Sequence, residues 1–250
     1  MTKPKVFLSP SSKEYQISPI TGISEAETMH LLSEEIASNL SDLGIEVIVS
    51  EIGSTPNQNT ESSNDANVDL HLVLTSLRAT NPDQRGIKIY YSSADGKSRD
   101  FANVISKNLK EIYPLPDRVE TEANSALVEL ISTTSPSVVI AIGNQNNADD
   151  VKWLSENMGD IAQNISASVG DVLGIKTQTK PLTALGLVNG PQGYATVRKT
   201  PSPTSKIITR IQNGAPVRII GKIGNWYAIL ASNIEGYVLE SEITAETPES

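Results

Sequence analysis

The stretch Asn67-Val68-Asp69-Leu70-His71-Leu72-Val73-Leu74-Thr75-Ser76 constrains the fold of this chain more than any other. Its apolar run is short and rich in branched residues, which reads as a strand buried on both faces. The run Ser137-Val138-Val139-Ile140-Ala141-Ile142-Gly143-Asn144 has the same character. Strands of this kind need helices on both sides, so the expected class is α/β with a mixed, mostly parallel sheet. In open sheets of that class, ligands sit in the crevice beyond the C-terminal ends of the strands. Thr75 and Ser76 should therefore open onto a crevice.

The rest of the chain supplies partners for these strands. Val6-Phe7-Leu8 is a first strand, followed by a polar loop over residues 9–16. Ser24 is a candidate N-cap, with Glu27 three residues later in a capping-box pattern. Met29, Leu32, Ile36, Leu40 and Leu43 then repeat at helical spacing until Gly44. Residues 45–49 and 86–91 read as strands, and Phe101, Val104, Ile105, Leu109 and Ile112 as a helix face. Residues 54–65 read as a polar crossing segment, 114–121 as a short connection and 127–131 as another helix. Met158, Ile161, Ile165, Val169 and Val172 line one face of a last helix that ends at Gly174. Within Asn144-Gln145-Asn146-Asn147, the amides suit either sugar hydroxyls or a helix-capping turn, the ordinary role of Asn.

A polar, Pro-containing linker is expected over residues 176–185. Beyond it the texture changes to short strands with Gly and Pro turns, an all-β pattern over residues 186–243. Residues 244–250 read as an acidic tail.

Charge and composition exclude several functions. The formal charge of −9 argues against general binding to nucleic acid or to an anionic membrane. It leaves room for an anionic polymer held by local basic contacts. With no cysteine there is no disulfide, no thiolate nucleophile and no cysteine-ligated zinc. The first residues lack an apolar stretch long enough for a signal peptide, and no run approaches a membrane span.

The motifs around the central strands resemble the zinc-dependent N-acetylmuramoyl-L-alanine amidases, enzymes that cut peptidoglycan, in their clostridial and phage-lysin branch. The loop Ser9-Pro10-Ser11 with Glu14 resembles that branch's Ser-Pro-Ser-Thr-Gln-Glu-His-Asn, whose His is a zinc ligand. Tyr15 stands at the His position. Glu25 matches the second ligand. Thr75 stands where the branch's strand-ending His-Ser-Asn places its second histidine ligand, and Ala141 where Leu-Ile-Glu-Val-Gly places the catalytic acid/base. Residues 147–154 match the family closely. Farther on, Val197-Arg198, Pro201-Ser202, Gly224-Asn225-Trp226-Tyr227 and Gly236-Tyr237-Val238 resemble a bacterial SH3-type barrel. Such domains commonly bind cell-wall peptides. Trp226, Tyr227, Tyr194 and Tyr237 are the candidate contacts, although amphipathic rings serve equally in a core.

The resemblance implies an amidase-like domain over residues 2–175 whose chemistry has been replaced. Catalytic zinc sites use three protein ligands and keep one position open for water. Amide hydrolysis also needs a group that takes the proton from that water. Neutral Tyr15 and Thr75 are poor zinc donors beside imidazole, and Ala141 exchanges no proton. Glu25 remains, but an acid in a first helical turn is also favoured by the helix dipole. The two histidines offer no obvious replacement. His71 lies four residues deeper than Thr75 along its strand, roughly 13 Å away. His30 follows Glu25 by five positions, which places them on different helix faces.

The expected function is accordingly non-catalytic binding of peptidoglycan, its stem peptides or a wall-associated assembly, with no metal or cofactor, no nucleic acid and no membrane insertion. An active zinc amidase is the alternative, and a structural component of a phage tail or secretion machine a further one. The expected location is the cytoplasm until lysis or a non-standard route carries the protein to the wall.

Overall fold

The structure, a computed structural model, describes residues 3–175, 184–231 and 234–245. Residues 176–183 of the expected linker and 246–250 of the expected tail lie outside the described residues. The chain divides into two units, residues 1–175 and 176–250.

In the first unit the order is β1 (Lys5–Pro10), α1 (Glu25–Asp42), β2 (Glu46–Val49), α2 (Pro56–Asp65), β3 (Leu70–Leu77), β4 (Ile87–Tyr91), α3 (Gly96–Ile112), β5 (Val119–Ala123), α4 (Val128–Ile131), β6 (Ser137–Asn144), α5 (Ala148–Glu156) and α6 (Met158–Val172). The strands form a six-stranded sheet in the order β2-β1-β3-β6-β4-β5. β1, β2, β3 and β6 run parallel, whereas β4 pairs antiparallel with β6 and parallel with β5. The two apolar runs of the sequence are neighbours at the sheet's centre, with Thr75 in register with Ala141.

The two faces of this sheet differ in chemistry. Val6, Leu8, Leu70, Leu72, Leu74, Val138, Ile140 and Ile142 pack with apolar residues of α1, α3 and α6 in one large core. Burying a side chain of this size is worth about 1.5–3 kcal/mol, so this face dominates stability. The other face carries a much smaller apolar cluster, Val73, Val139 and Leu130, beneath α2 and α4. Around it sit buried polar groups: Ser9, Asn59, His71 and Glu129.

Three stretches depart from the sequence reading. Residues 56–65 form a helix despite their polarity. Thr55 and Gln58 make the complete reciprocal capping box there, with Pro56 in the first turn. Residues 116–118 form a 3-10 turn leading into edge strand β5, where a plain connection was expected. The last helical stretch is also interrupted at Asn157, between α5 and α6.

The second unit contains β7 (Ala184–Val188), β8 (Tyr194–Arg198), β9 (Ile207–Gln212), β10 (Pro216–Ile223), β11 (Trp226–Ala231), β12 (Ile234–Leu239) and β13 (Ile243–Ala245). They form a seven-stranded antiparallel sheet, β13-β7-β10-β11-β12-β8-β9. Val188, Ala195, Val197, Val217, Ile219, Ile229, Val238 and Ile243 make its core. β7 begins inside the stretch read as linker, and β13 takes in Thr244 and Ala245 of the stretch read as tail. Gly236 is required by packing: a Cβ there would lie 2.6 Å from Val197 Cγ1 and 2.8 Å from the Arg198 carbonyl.

Candidate functional site

The polar loop after β1 is held against the end of β3. Ser11 N–H donates to the Leu74 carbonyl at 2.8 Å. A bridge between Ile17 and Ser24 closes the loop, and Glu25 N–H donates to the Gln16 carbonyl at 2.8 Å. Ser24 caps α1 by accepting from Glu27 N–H at 3.1 Å. These bonds deliver Glu25, the first residue of α1, to the C-terminal end of β3.

Glu25 is fully buried there, at 0% exposure. Its Oε1 accepts from the Thr75 hydroxyl at 2.5 Å and from Ser76 N–H at 3.3 Å. Lys13 Nζ stands 3.6 Å from the same oxygen and donates to Thr75 Oγ1 at 3.4 Å. The carboxyl group is thus bonded by a hydroxyl and faced by an ammonium, both supplied by the chain itself. Its Oε2 makes no hydrogen bond within the protein.

The structure gathers some of the expected positions and separates others. Tyr15 lies on the rim of the same pocket as Thr75 but is 80% exposed. Ala141 is buried beside Thr75 in the sheet. No proton-exchanging side chain occupies that place. A zinc ion wants three deprotonated ligands, and a cationic lysine beside the single carboxylate opposes it. The donor set at Glu25 does not fit the ion. Among the described residues, no group of three or more His, Cys, Asp or Glu stands together as a metal site.

A pocket of about 500 Å³ opens from Lys13 and Thr75 toward α2 and α4. Its deep end holds a cluster that sequence reading missed. Ser9 donates to Glu129 Oε1 at 2.5 Å, Asn59 Nδ2 donates to Ser9 Oγ at 2.8 Å, and His71 Nε2 lies 3.2 Å from Glu129 Oε1. His71 is fully buried and stacks on Phe7, ring centroids 5.2 Å apart. Glu129 lies far from Ser9 and His71 in sequence, and no local motif links them. His30 lies partly buried on α1, where burial pushes its imidazole below the usual range and Glu34 offsets this in part.

Residues 147–154 are tied to the sheet and to Arg85 and Tyr113 through Asp150. Buried Asp150 accepts from Arg85 Nε at 2.9 Å, Tyr113 OH at 2.7 Å, Gly86 N–H at 3.2 Å and Asn144 N–H at 2.9 Å. Burial, and then the Asp150 carboxylate, push the Tyr113 phenol up. Asn147 caps α5 by accepting from Asp150 N–H at 3.0 Å, the ordinary role for that amide.

In the second unit the candidate aromatics separate. Trp226 is only 4% exposed and has little surface for a ligand. Tyr194 is half-buried, with Arg210 5.0 Å above its ring and its hydroxyl on Gln192 at 2.6 Å. Tyr227 is half-buried under Lys222 and donates to Glu240 at 3.0 Å. Tyr237 is half-buried on β12, and burial pushes its phenol up.

The profile described as N-acetylmuramoyl-L-alanine amidase matches residues 14–171, more than half the chain. One described as bacterial SH3 domain matches residues 193–244. No curated protein sequence matches the chain. Solved structures with the fold of the first unit include an N-acetylmuramoyl-L-alanine amidase from Clostridium difficile 630, at 16% identity and TM-score 0.62, covering 70% of this chain and 98% of that one. The catalytic domain of the amidase CwlV from Bacillus (Paenibacillus) polymyxa var. colistinus is similar at 16% identity and TM-score 0.60, covering 69% and 99%. The amidase CwlD from Clostridioides difficile, solved with the GerS lipoprotein, is similar at 16% identity and TM-score 0.61, covering 70% and 100%. The expected α/β fold with a mixed, mostly parallel sheet is present, as is an all-antiparallel unit of bacterial SH3 type. The chain belongs to the N-acetylmuramoyl-L-alanine amidase family and carries a bacterial SH3 domain after it.

Proposed function

We propose that this chain is a non-catalytic, amidase-derived protein that binds peptidoglycan or an assembly attached to it. One observation carries the reading: the Glu25 carboxylate is bonded to the Thr75 hydroxyl and faced by the Lys13 ammonium. Metal-assisted amide hydrolysis would need more ligands there, an open coordination position and a proton acceptor. Placing Tyr15, Thr75 and Ala141 at the former ligand and acid/base positions is part of this proposal. Family membership supports a role at the cell wall, and the bacterial SH3 domain supports adhesion to it. A protein partner at the wall is favoured by one specific likeness, because CwlD has this fold and was solved with a lipoprotein.

The test uses the full chain with purified cell walls. The protein should pellet with the walls, release no new amino groups from them, and keep far less than stoichiometric zinc after dialysis. Stoichiometric zinc together with release of wall peptides would establish an active amidase instead. Failure to pellet, with co-purification of a large particle, would favour the structural-component reading.

A further inference from the structure

We propose that the pocket between β1, β3 and α4 holds a short peptide with both termini free, its amino group against Glu129 and its carboxylate against Lys13. The pocket has two poles of opposite charge on an apolar body. Val73, Val139, Leu127, Val128 and Pro56 line the body. In such surroundings a few polar groups set a ligand's orientation, because desolvation makes each of them count for more than in water.

The acidic pole is a built feature. Ser9 is 1% exposed, Asn59 5% and Glu129 8%, and all three line the pocket. Their mutual bonds orient the group. Asn59 donates to Ser9, Ser9 donates to Glu129 Oε1, and His71 meets that same oxygen from the deeper side. Because its proton goes to Glu129, the Ser9 hydroxyl serves to position the carboxyl. The bonds from Ser9 and His71 both end on Oε1, so Oε2 is the oxygen that would meet a donor from a ligand. Ser11 Oγ, on the same pocket, is buried without a hydrogen-bond partner and adds a further polar atom for a peptide backbone.

The basic pole is Lys13, whose side chain is 43% exposed while its ammonium rests on Thr75 and Glu25. The spacing of the poles follows from β3. Glu129 spans His71 and Ser9, and Ser9 pairs with Val73. Those levels lie two to four residues before Thr75, roughly 7–13 Å along the strand. An extended peptide of about three residues has that reach. The inference deepens the reading above and rests on it only for the ligand's source, since cleaving a wall amide leaves a peptide with a free amino terminus.

The experiment titrates the full chain with Ala-Ala-Ala, with its N-acetylated form and with its C-terminal amide, followed by calorimetry. The free tripeptide should bind, and each blocked form about tenfold more weakly, as the loss of one charge-assisted contact predicts. Glu129→Gln should remove the preference for a free amine, and Lys13→Met the preference for a free carboxylate. Equal affinity for the free and blocked forms, or no binding of the tripeptide at millimolar concentration, would overturn the proposal. If Glu129→Gln fails to fold, the blocked-peptide series on the unaltered protein still decides. Wall pelleting reports separately, so a chain that pellets but shows no peptide preference loses this inference and keeps the function proposed above.

Discussion

Thr75 donates its hydroxyl proton to Glu25 at 2.5 Å, joining the end of the central strand to the first turn of α1. The bond leaves the carboxylate fully buried with Lys13 as its nearest cation, 3.6 Å away.

Removing the cation should therefore weaken the fold. Lys13→Met leaves Glu25 buried beside a hydroxyl and one backbone N–H, and should cost about 1–2 kcal/mol. The figure sits at the low end for an unpaired buried charge because the lysine is partly solvated. Adding Glu25→Gln should return most of the loss. Urea unfolding of the three proteins measures both effects. A double variant no more stable than Lys13→Met would show that the pair is not coupled.

Building a metal site at Glu25 tests the proposed placement of Tyr15 and Thr75. Tyr15→His with Thr75→His adds two imidazoles to Glu25, the ligand number a catalytic zinc needs. The double variant should bind zinc in calorimetry, more tightly once Lys13→Ala removes the competing ammonium, and neither single variant should. Adding Ala141→Glu should then raise any amide hydrolysis by about 10²- to 10⁴-fold. A folded double variant without zinc affinity, with or without Lys13→Ala, would mean these side chains do not face one point.

Two aromatics of the second unit should behave differently. Trp226 is buried, so Trp226→Ala should cost about 3–5 kcal/mol and lower the melting temperature of that unit. Tyr194 is half-buried under Arg210, so Tyr194→Ala should leave the fold in place while reducing pelleting of the full chain with cell walls. Unchanged pelleting would remove Tyr194 from the binding surface.

Asp95 supplies a pH signature. Burial pushes its carboxyl up, but bonds from Ser98 Oγ and from the N–H groups of Lys97 and Ser98 outweigh this and hold it below the usual range. A depressed folded-state pKa adds stability above the unfolded value and loses it as pH falls through the folded value. Asp95→Ala should cost about 0.5–2 kcal/mol at neutral pH, the usual worth of an N-cap. The gap to the unaltered protein should begin to shrink as pH falls below about 4, where the unfolded carboxyl takes up its proton, and close further as pH falls through the lowered folded value. Melting curves at pH 7 and pH 3 measure it, and a gap that stays constant would show that the cap does not act through its charge.

The sequence by itself determined the class of fold, because burial leaves a periodic trace. Leu70 to Leu74 and Val138 to Ile142 are continuous apolar runs, and Met29, Leu32, Ile36 and Leu40 repeat with helical period, so strands and helices announce themselves locally. Helix α2 left no such trace, since its residues are polar and only the Thr55–Gln58 cap marks it. The sequence singled out Tyr15, Glu25, Thr75 and Ala141 one at a time. What only the tertiary structure decided is which of them meet. The loop bonded to the end of β3 brings Lys13 onto Glu25 and Thr75, and leaves Tyr15 on the exposed rim of their pocket. Glu129 reaches Ser9 and His71 only because α4 packs against the sheet face that carries them. Such contacts join residues far apart in the chain, whose chemistry is set by packing geometry and not by any neighbour in sequence.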